Sequence, residues 1–170
     1  VSSDVDVALE AFRFSDAANA IYHFVWHELC DWYIELAKPH LHQPEGIEQD
    51  AARAAKRHVV QGVLATALET TMRLLHPFAP YVTEEIWQKL PKRAGEAQAV
   101  TLAAFPAGEA AWADAEAERD VQYIQEVVST IRTVRSERGV PPSRRITAMV
   151  EESDPASAAM LGRQAAYIRQ

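Results

Sequence analysis

With a single cysteine, Cys30, the chain can form neither an internal disulfide nor a zinc site made of thiolates alone, which suits a reducing compartment. Glycine is scarce, at six residues in 170, and no apolar run approaches the roughly eighteen residues of a membrane span. The N-terminus lacks the charged-then-apolar pattern of a secretory signal. There is no Gly-x-Ser-x-Gly elbow, no phosphate-cradling glycine loop and no dinucleotide fingerprint, so no catalytic residue is assigned. Positive charge is in deficit: 17 Lys and Arg face 24 Asp and Glu, for a net charge of −7. That balance argues against gripping nucleic acid by overall charge, but it leaves local basic segments free to do so. The first residue is Val, and "AAYIRQ" ends the chain without a visible terminator, so a segment of a longer protein is expected.

What the chain has in plenty is helix signal, with abundant alanine and no repeats or low-complexity tracts. A first helix is expected over "DVDVALEAF". A second is expected from an N-cap at Ser15, with Asp16 in its first turn, to Lys38, where Pro39 stops it. Within it, Ile21, Phe24, Val25, Glu28 and Trp32 form one stripe. Tyr22, Trp26, Leu29, Tyr33 and Leu36 form another, so contact on two sides and an inner bundle position are expected, with Trp26 and Trp32 in the core. After the turn-rich "PHLHQPEGI", a long helix runs from about Ile47 to Leu75, with Val60, Leu64, Ala67, Leu68, Thr71 and Leu75 on one face. "HPFAP" breaks it, and Thr83 is placed to cap "EEIWQKLP". "AVTLAAFPAG" reads as an extended strand or arm. A third long helix spans Glu109 to Arg138, with Gly139 as its stop. "ITAMV" then reads as a strand, and "DPASAAMLGRQAAYIR" as a helix with Pro155 in its first turn. The fold class is mainly α: an antiparallel helical bundle over 1–106, then a long helix leading into a truncated small α/β unit over 107–170.

The chemistry on offer is concentrated in two stretches. "HFVWHELCDWYIELAKP" places His23, His27 and Cys30 at i, i+4 and i+7, with Asp31 four residues after His27. That spacing suits a zinc site or a Cys/His nucleophile. Exposed histidines beside a small core cysteine suit it better, because no second helix offers a matching His pair, and no metal site is assigned. Glu28, Asp31 and Glu35 describe a polar helix edge as well as they describe acid–base partners. Tyr22 and Tyr33 could stack on bases or fill core. In "IRTVRSERGVPPSRR", Arg132, Arg135 and Arg138 step by three, Arg144 and Arg145 follow, and only Glu137 opposes them. Phosphate contact is one reading. Favourable charge at a helix C-terminus, with salt bridges to the acidic "DAEAERD", is the other.

Four stretches then resemble a known family. "FVWHELCDWYIELAKP" resembles the second long helix of the anticodon-binding domain of bacterial valyl-tRNA synthetases. "LLHPFAPYVTEEIWQKLP" resembles a segment shared by the valine, isoleucine and leucine enzymes. "VTLAAFP" falls where the family has a short arm, with Phe105 in place of the usual Trp. "IRTVRSERGVPPSRRI" resembles the passage into the small α/β unit, and order and spacing agree from about Phe12 to Val150.

The resemblance implies a module that receives the anticodon stem-loop of valine tRNA. It implies no cofactor and no catalysis in this chain, with ATP and Mg used by the full-length enzyme elsewhere. It also implies a monomer in the cytoplasm with no DNA or membrane partner. The family's Asn-, Arg- and Phe-rich first helix and its C-terminal coiled coil are expected to lie outside the chain. Carried onto these positions, the RNA-binding candidates are Tyr33 and Ile34, near an anticodon base, and Lys38, placed to meet a phosphate; the charge of the basic stretch adds Arg132, Arg135, Arg138, Arg144 and Arg145 as candidate phosphate contacts. The alternatives are a helical protein-interaction module and a metal-dependent enzyme using His23, His27 and Cys30.

Overall fold

The first turn of the chain is made by a residue that sterics disfavour there. Helix α1 (Ser2–Glu10) ends in a Schellman turn, in which the Phe12 N–H donates to Leu9 O at 3.0 Å and the Arg13 N–H to Ala8 O at 2.8 Å. Phe12 sits at φ 57°, the left-handed position usually given to glycine, and its ring is 80% exposed against Phe14. Helix α2 (Phe14–His23) therefore begins one residue before Ser15, with Arg13 at the cap position. Ser15 is not the cap, because the tight turn has already set the chain direction and the Arg13 carbonyl takes the first amides.

The computed structural model describes residues 1–42, 50–92, 95, 97–141 and 143–169, in two compact units, 1–109 and 110–170. The predicted start of the long helix near Ile47 lies outside the described residues.

In the first unit, α2 continues into a π-helix (Phe24–Ile34) and then α3 (Glu35–Leu41). Pro39 does not stop the helix, which runs two residues further. The φ of proline is itself helical, and the missing N–H falls in the last turn, where the His42 amide still reaches Lys38 O at 2.9 Å. Helix α4 (Ala51–Leu75) is capped by Asp50, whose carboxylate accepts from the Arg53 amide. Helix α5 (Pro80–Trp87) starts with Pro80 at its first turn, not with a Thr83 cap. Thr83 is buried inside the helix, with Oγ1 2.8 Å from Ala79 O and 2.8 Å from His76 Nδ1.

Two cores hold this unit. Val5, Ala8, Ala17, Ile21 and Leu74 join α1, α2 and α4, while Met72, Trp87 and Val100 pin the returning arm onto α4 and α5. The arm is a short 3₁₀ turn (Val100–Leu102), not a strand. It is held by the Val100 amide on Glu84 Oε2 at 2.9 Å and by Gln88 donating to Gln98 O at 2.6 Å. Arg73 adds a bond to Ala104 O at 2.9 Å and pairs with Glu69, whose other oxygen accepts from Trp87 Nε1.

In the second unit, the long helix α6 (Ala115–Glu137) starts at an Asp114 cap, later than Glu109, with a separate 3₁₀ turn (Ala110–Trp112) before it. Ile124 and Val127 pack on Met160 and Leu161 of α7 (Pro155–Arg163), followed by the short α8 (Ala165–Ile168). Asp154 caps α7, with Pro155 in the first turn as expected. "ITAMV" is exposed and not a strand, and no strand occurs among the described residues. A strand needs a neighbour to receive its amides and carbonyls, and nothing in this unit supplies one. Among the described residues, no helix is long and apolar enough to cross a membrane.

Candidate nucleic-acid interface

In the basic stretch of the second unit, the described residues up to 141 and from 143 are tied to one another by hydrogen bonds. Gly139, at φ 61°, closes α6 as its sequence position predicts. Its amide donates to Ser136 O at 3.0 Å, and the Val140 amide donates to Arg135 O at 2.9 Å. The Arg135 guanidinium then reaches across the loop, where Nη2 donates to Pro141 O at 2.8 Å and to Arg144 O at 3.2 Å. The Arg144 amide donates to Pro141 O at 3.0 Å. Arg135 is half-buried by this work, whereas Arg132, Arg138, Arg144 and Arg145 are exposed.

Among the described residues, no carboxylate forms an ion pair with Arg138, Arg144 or Arg145. Among the described residues, the salt bridges expected from "DAEAERD" to Arg138, Arg144 and Arg145 do not form, for a simple reason of length: Asp120, the last residue of that stretch, lies roughly 27 Å before Arg138 along the helix at 1.5 Å per residue.

In the first unit, Tyr33, Ile34 and Lys38 straddle the passage from the π-helix into α3. The Tyr33 hydroxyl donates to Val60 O of α4 at 3.2 Å, and burial pushes its pKa up, so this ring ties two helices together. Ile34 is half-buried. Lys38 is exposed, with Nζ 2.5 Å from Glu35 Oε1. These three are therefore neighbours on one helical stretch with different surroundings.

Sequence reasoning placed Trp26 in the core, and the structure corrects this: Trp26 is 54% exposed, and Trp32 is half-buried. Trp26 stacks on exposed Tyr22, with centroids 6.2 Å apart and planes 5° from parallel. His23 and His27 lie on the same face, and His27 Nδ1 is 3.2 Å from Asp31 Oδ2. The signal for an outer face was the polar set His23, His27 and Asp31, whose spacing matches that of Tyr22 and Trp26. Leu29, by contrast, is buried, and Cys30 is a half-buried free thiol. Among the described residues, no three His, Cys, Asp or Glu side chains converge as metal ligands.

Comparison with known proteins gives the wider setting. A family profile described as "Anticodon-binding domain of tRNA ligase" matches residues 1–150. The chain is similar to the valine–tRNA ligase of Syntrophotalea carbinolica, at 40% identity over 99% of this chain and 18% of that protein. It is similar to the Geobacter sulfurreducens valine–tRNA ligase at 42% identity, and to that of Bacillus cereus at 36%, each over 95% of this chain and 17% of the relative. The chain thus spans less than a fifth of the length of the curated relatives it matches.

Proposed function

The chain belongs to the family of anticodon-binding domains of tRNA ligases, and on that premise we propose that it is the tRNA-binding module of a valine–tRNA ligase. Its partner in this reading is the anticodon stem-loop of valine tRNA, held while other parts of the enzyme use ATP and Mg to attach the amino acid. The module itself is non-catalytic, monomeric and cytoplasmic, and divides near residue 106. The observation that carries the proposal is the profile match across 1–150, joined by relatives all named valine–tRNA ligase.

The exposed arginines Arg132, Arg138, Arg144 and Arg145 support it, because they keep a cationic patch in water on an acidic chain. Tyr33, Ile34 and Lys38 are the proposed contacts of the first unit. Bases met there would be unstacked and read by their edges and faces.

The test is titration with a valine anticodon stem-loop and with the same hairpin altered at the middle anticodon base. The expected result is salt-sensitive binding that prefers the first hairpin. No binding, or equal affinity for both, refutes valine anticodon recognition. A second reading, a protein-interaction module, is favoured by the exposed Tyr22–Trp26 stack. It predicts that Trp26→Ala abolishes self-association or peptide capture, with no tRNA binding at all.

A further inference from the structure

We infer that Arg138, Arg144 and Arg145 make a site for the phosphodiester backbone of RNA, and that Arg135 positions them by holding the carbonyls of Pro141 and Arg144. The inference rests on the tRNA-binding reading. It goes further by dividing the arginines into a positioning residue and contacting cations, and by assigning contacts to phosphates and not to bases.

Arg135 fixes the loop twice. Its carbonyl accepts the Val140 amide, and its guanidinium holds the carbonyls of Pro141 and Arg144. Those two oxygens are thereby occupied by a cation and cannot oppose an incoming anion. The glycine turn at Gly139 reverses the chain directly after Arg138, which sets that residue beside the start of the loop. Arg138, Arg144 and Arg145 are exposed and, among the described residues, have no carboxylate partner. The guanidinium fork matches a phosphate in two hydrogen bonds. Cations whose backbone is already tied down lose less freedom on binding than ones that must first be ordered. Contacts of this kind set position and affinity but carry no sequence information. The anion proposed is accordingly the backbone of the tRNA, whatever its loop sequence.

The experiment measures affinity against salt concentration for the 170-residue chain. The two probes are a valine anticodon stem-loop and the same hairpin with its loop sequence scrambled. Arg144→Gln/Arg145→Gln should weaken binding to both hairpins by the same factor, roughly tenfold or more, and flatten the salt slope by about two. Arg135→Gln should also weaken both, yet leave the slope close to that of the parent, because the contacting cations remain and only their order is lost.

If the double variant binds and responds to salt as the parent does, the loop is not a phosphate site, while the tRNA-binding reading stands. A loss confined to the valine hairpin overturns the assignment to the backbone. If Arg135→Gln flattens the slope by about one, half the change of the double variant, Arg135 is itself a contact and the division is wrong. Failure of the parent chain to bind either hairpin overturns the tRNA-binding reading and this inference together.

Discussion

Removing the Glu69 carboxylate should cost the first unit more than almost any other single polar change. Glu69 lies on α4 with its side chain only 24% accessible. Its Oε1 accepts from Trp87 Nε1 at 3.2 Å, and its Oε2 from Arg73 Nη2 at 2.6 Å. Trp87 is 1% exposed, so Glu69→Leu leaves a buried indole N–H without a partner, worth about 1–3 kcal/mol. It also strands the Arg73 guanidinium, whose Nε is already buried without a partner. A fully buried stranded charge costs about 3–5 kcal/mol, and partial access to water reduces that to about 1–2 kcal/mol here. The expected total is about 3 kcal/mol. Glu69→Gln keeps the volume and one acceptor oxygen and should lose about 1–2 kcal/mol.

Urea unfolding followed by tryptophan fluorescence reads this in a Trp112→Phe background, since the other three tryptophans, Trp26, Trp32 and Trp87, all lie in the first unit and Trp112 lies in the second. A double-mutant cycle with Arg73→Met isolates the pair. If Glu69→Leu unfolds within about 0.5 kcal/mol of the parent, the carboxylate is not what satisfies Trp87 and Arg73, and the reasoning fails.

Three further outcomes are expected. Gly139→Ala should destabilise by about 1 kcal/mol through its φ of 61° alone, because nothing lies within 4 Å of an added Cβ. Phe12→Gly should go the other way, by up to about 1 kcal/mol, and a thermal melt showing both shifts downward would contradict the assignment of strain. Trp87→Ala should cost about 3–5 kcal/mol and Trp26→Ala under about 1 kcal/mol; equal losses in denaturant would put Trp26 in a core after all. The hydrogen bonds from Gln88 and the Val100 amide hold the Glu84 carboxyl below the usual carboxylate range. A depressed folded-state pKa contributes stability above the unfolded value, about 4.3, and loses it as pH falls through the folded one. The protection of the Val100 amide, taken relative to its intrinsic exchange rate at each pH, should therefore fall in acid, and Glu84→Gln should abolish that dependence.

Helix identity was legible wherever period and punctuation agreed. "HPFAP" ended α4, Asp154 and Pro155 opened α7, and Gly139 closed α6. The errors share a cause, in that each local rule met a stronger neighbour. Ser15 and Thr83 are good caps, but the Phe12 turn and Pro80 had already started their helices. Nothing in a phenylalanine announces a left-handed turn, so that turn could not be read. "ITAMV" has strand propensity, which is worth little without a second strand. Trp26 is exposed because the polar residues His23, His27 and Asp31 share its face. At the candidate interface, the count of arginines was visible in the sequence. The distinction between Arg135 and its neighbours was not, because it depends on where the loop carbonyls come to lie.

The length of α6 has a consequence for encounter. Asp114, Glu116, Glu118 and Asp120, against Arg119, crowd one end of the helix, and the arginine loop crowds the other. Opposite charges of three to four units held roughly 33 Å apart give the second unit a large permanent dipole moment. That span exceeds the Debye length of roughly 10 Å at 0.1 M salt, so the two ends do not cancel at physiological ionic strength. Near a polyanion the unit experiences a torque that turns the loop forward and the acidic end away before any contact is made. Orientation would then be settled during diffusion, with an association rate that falls steeply as salt is added.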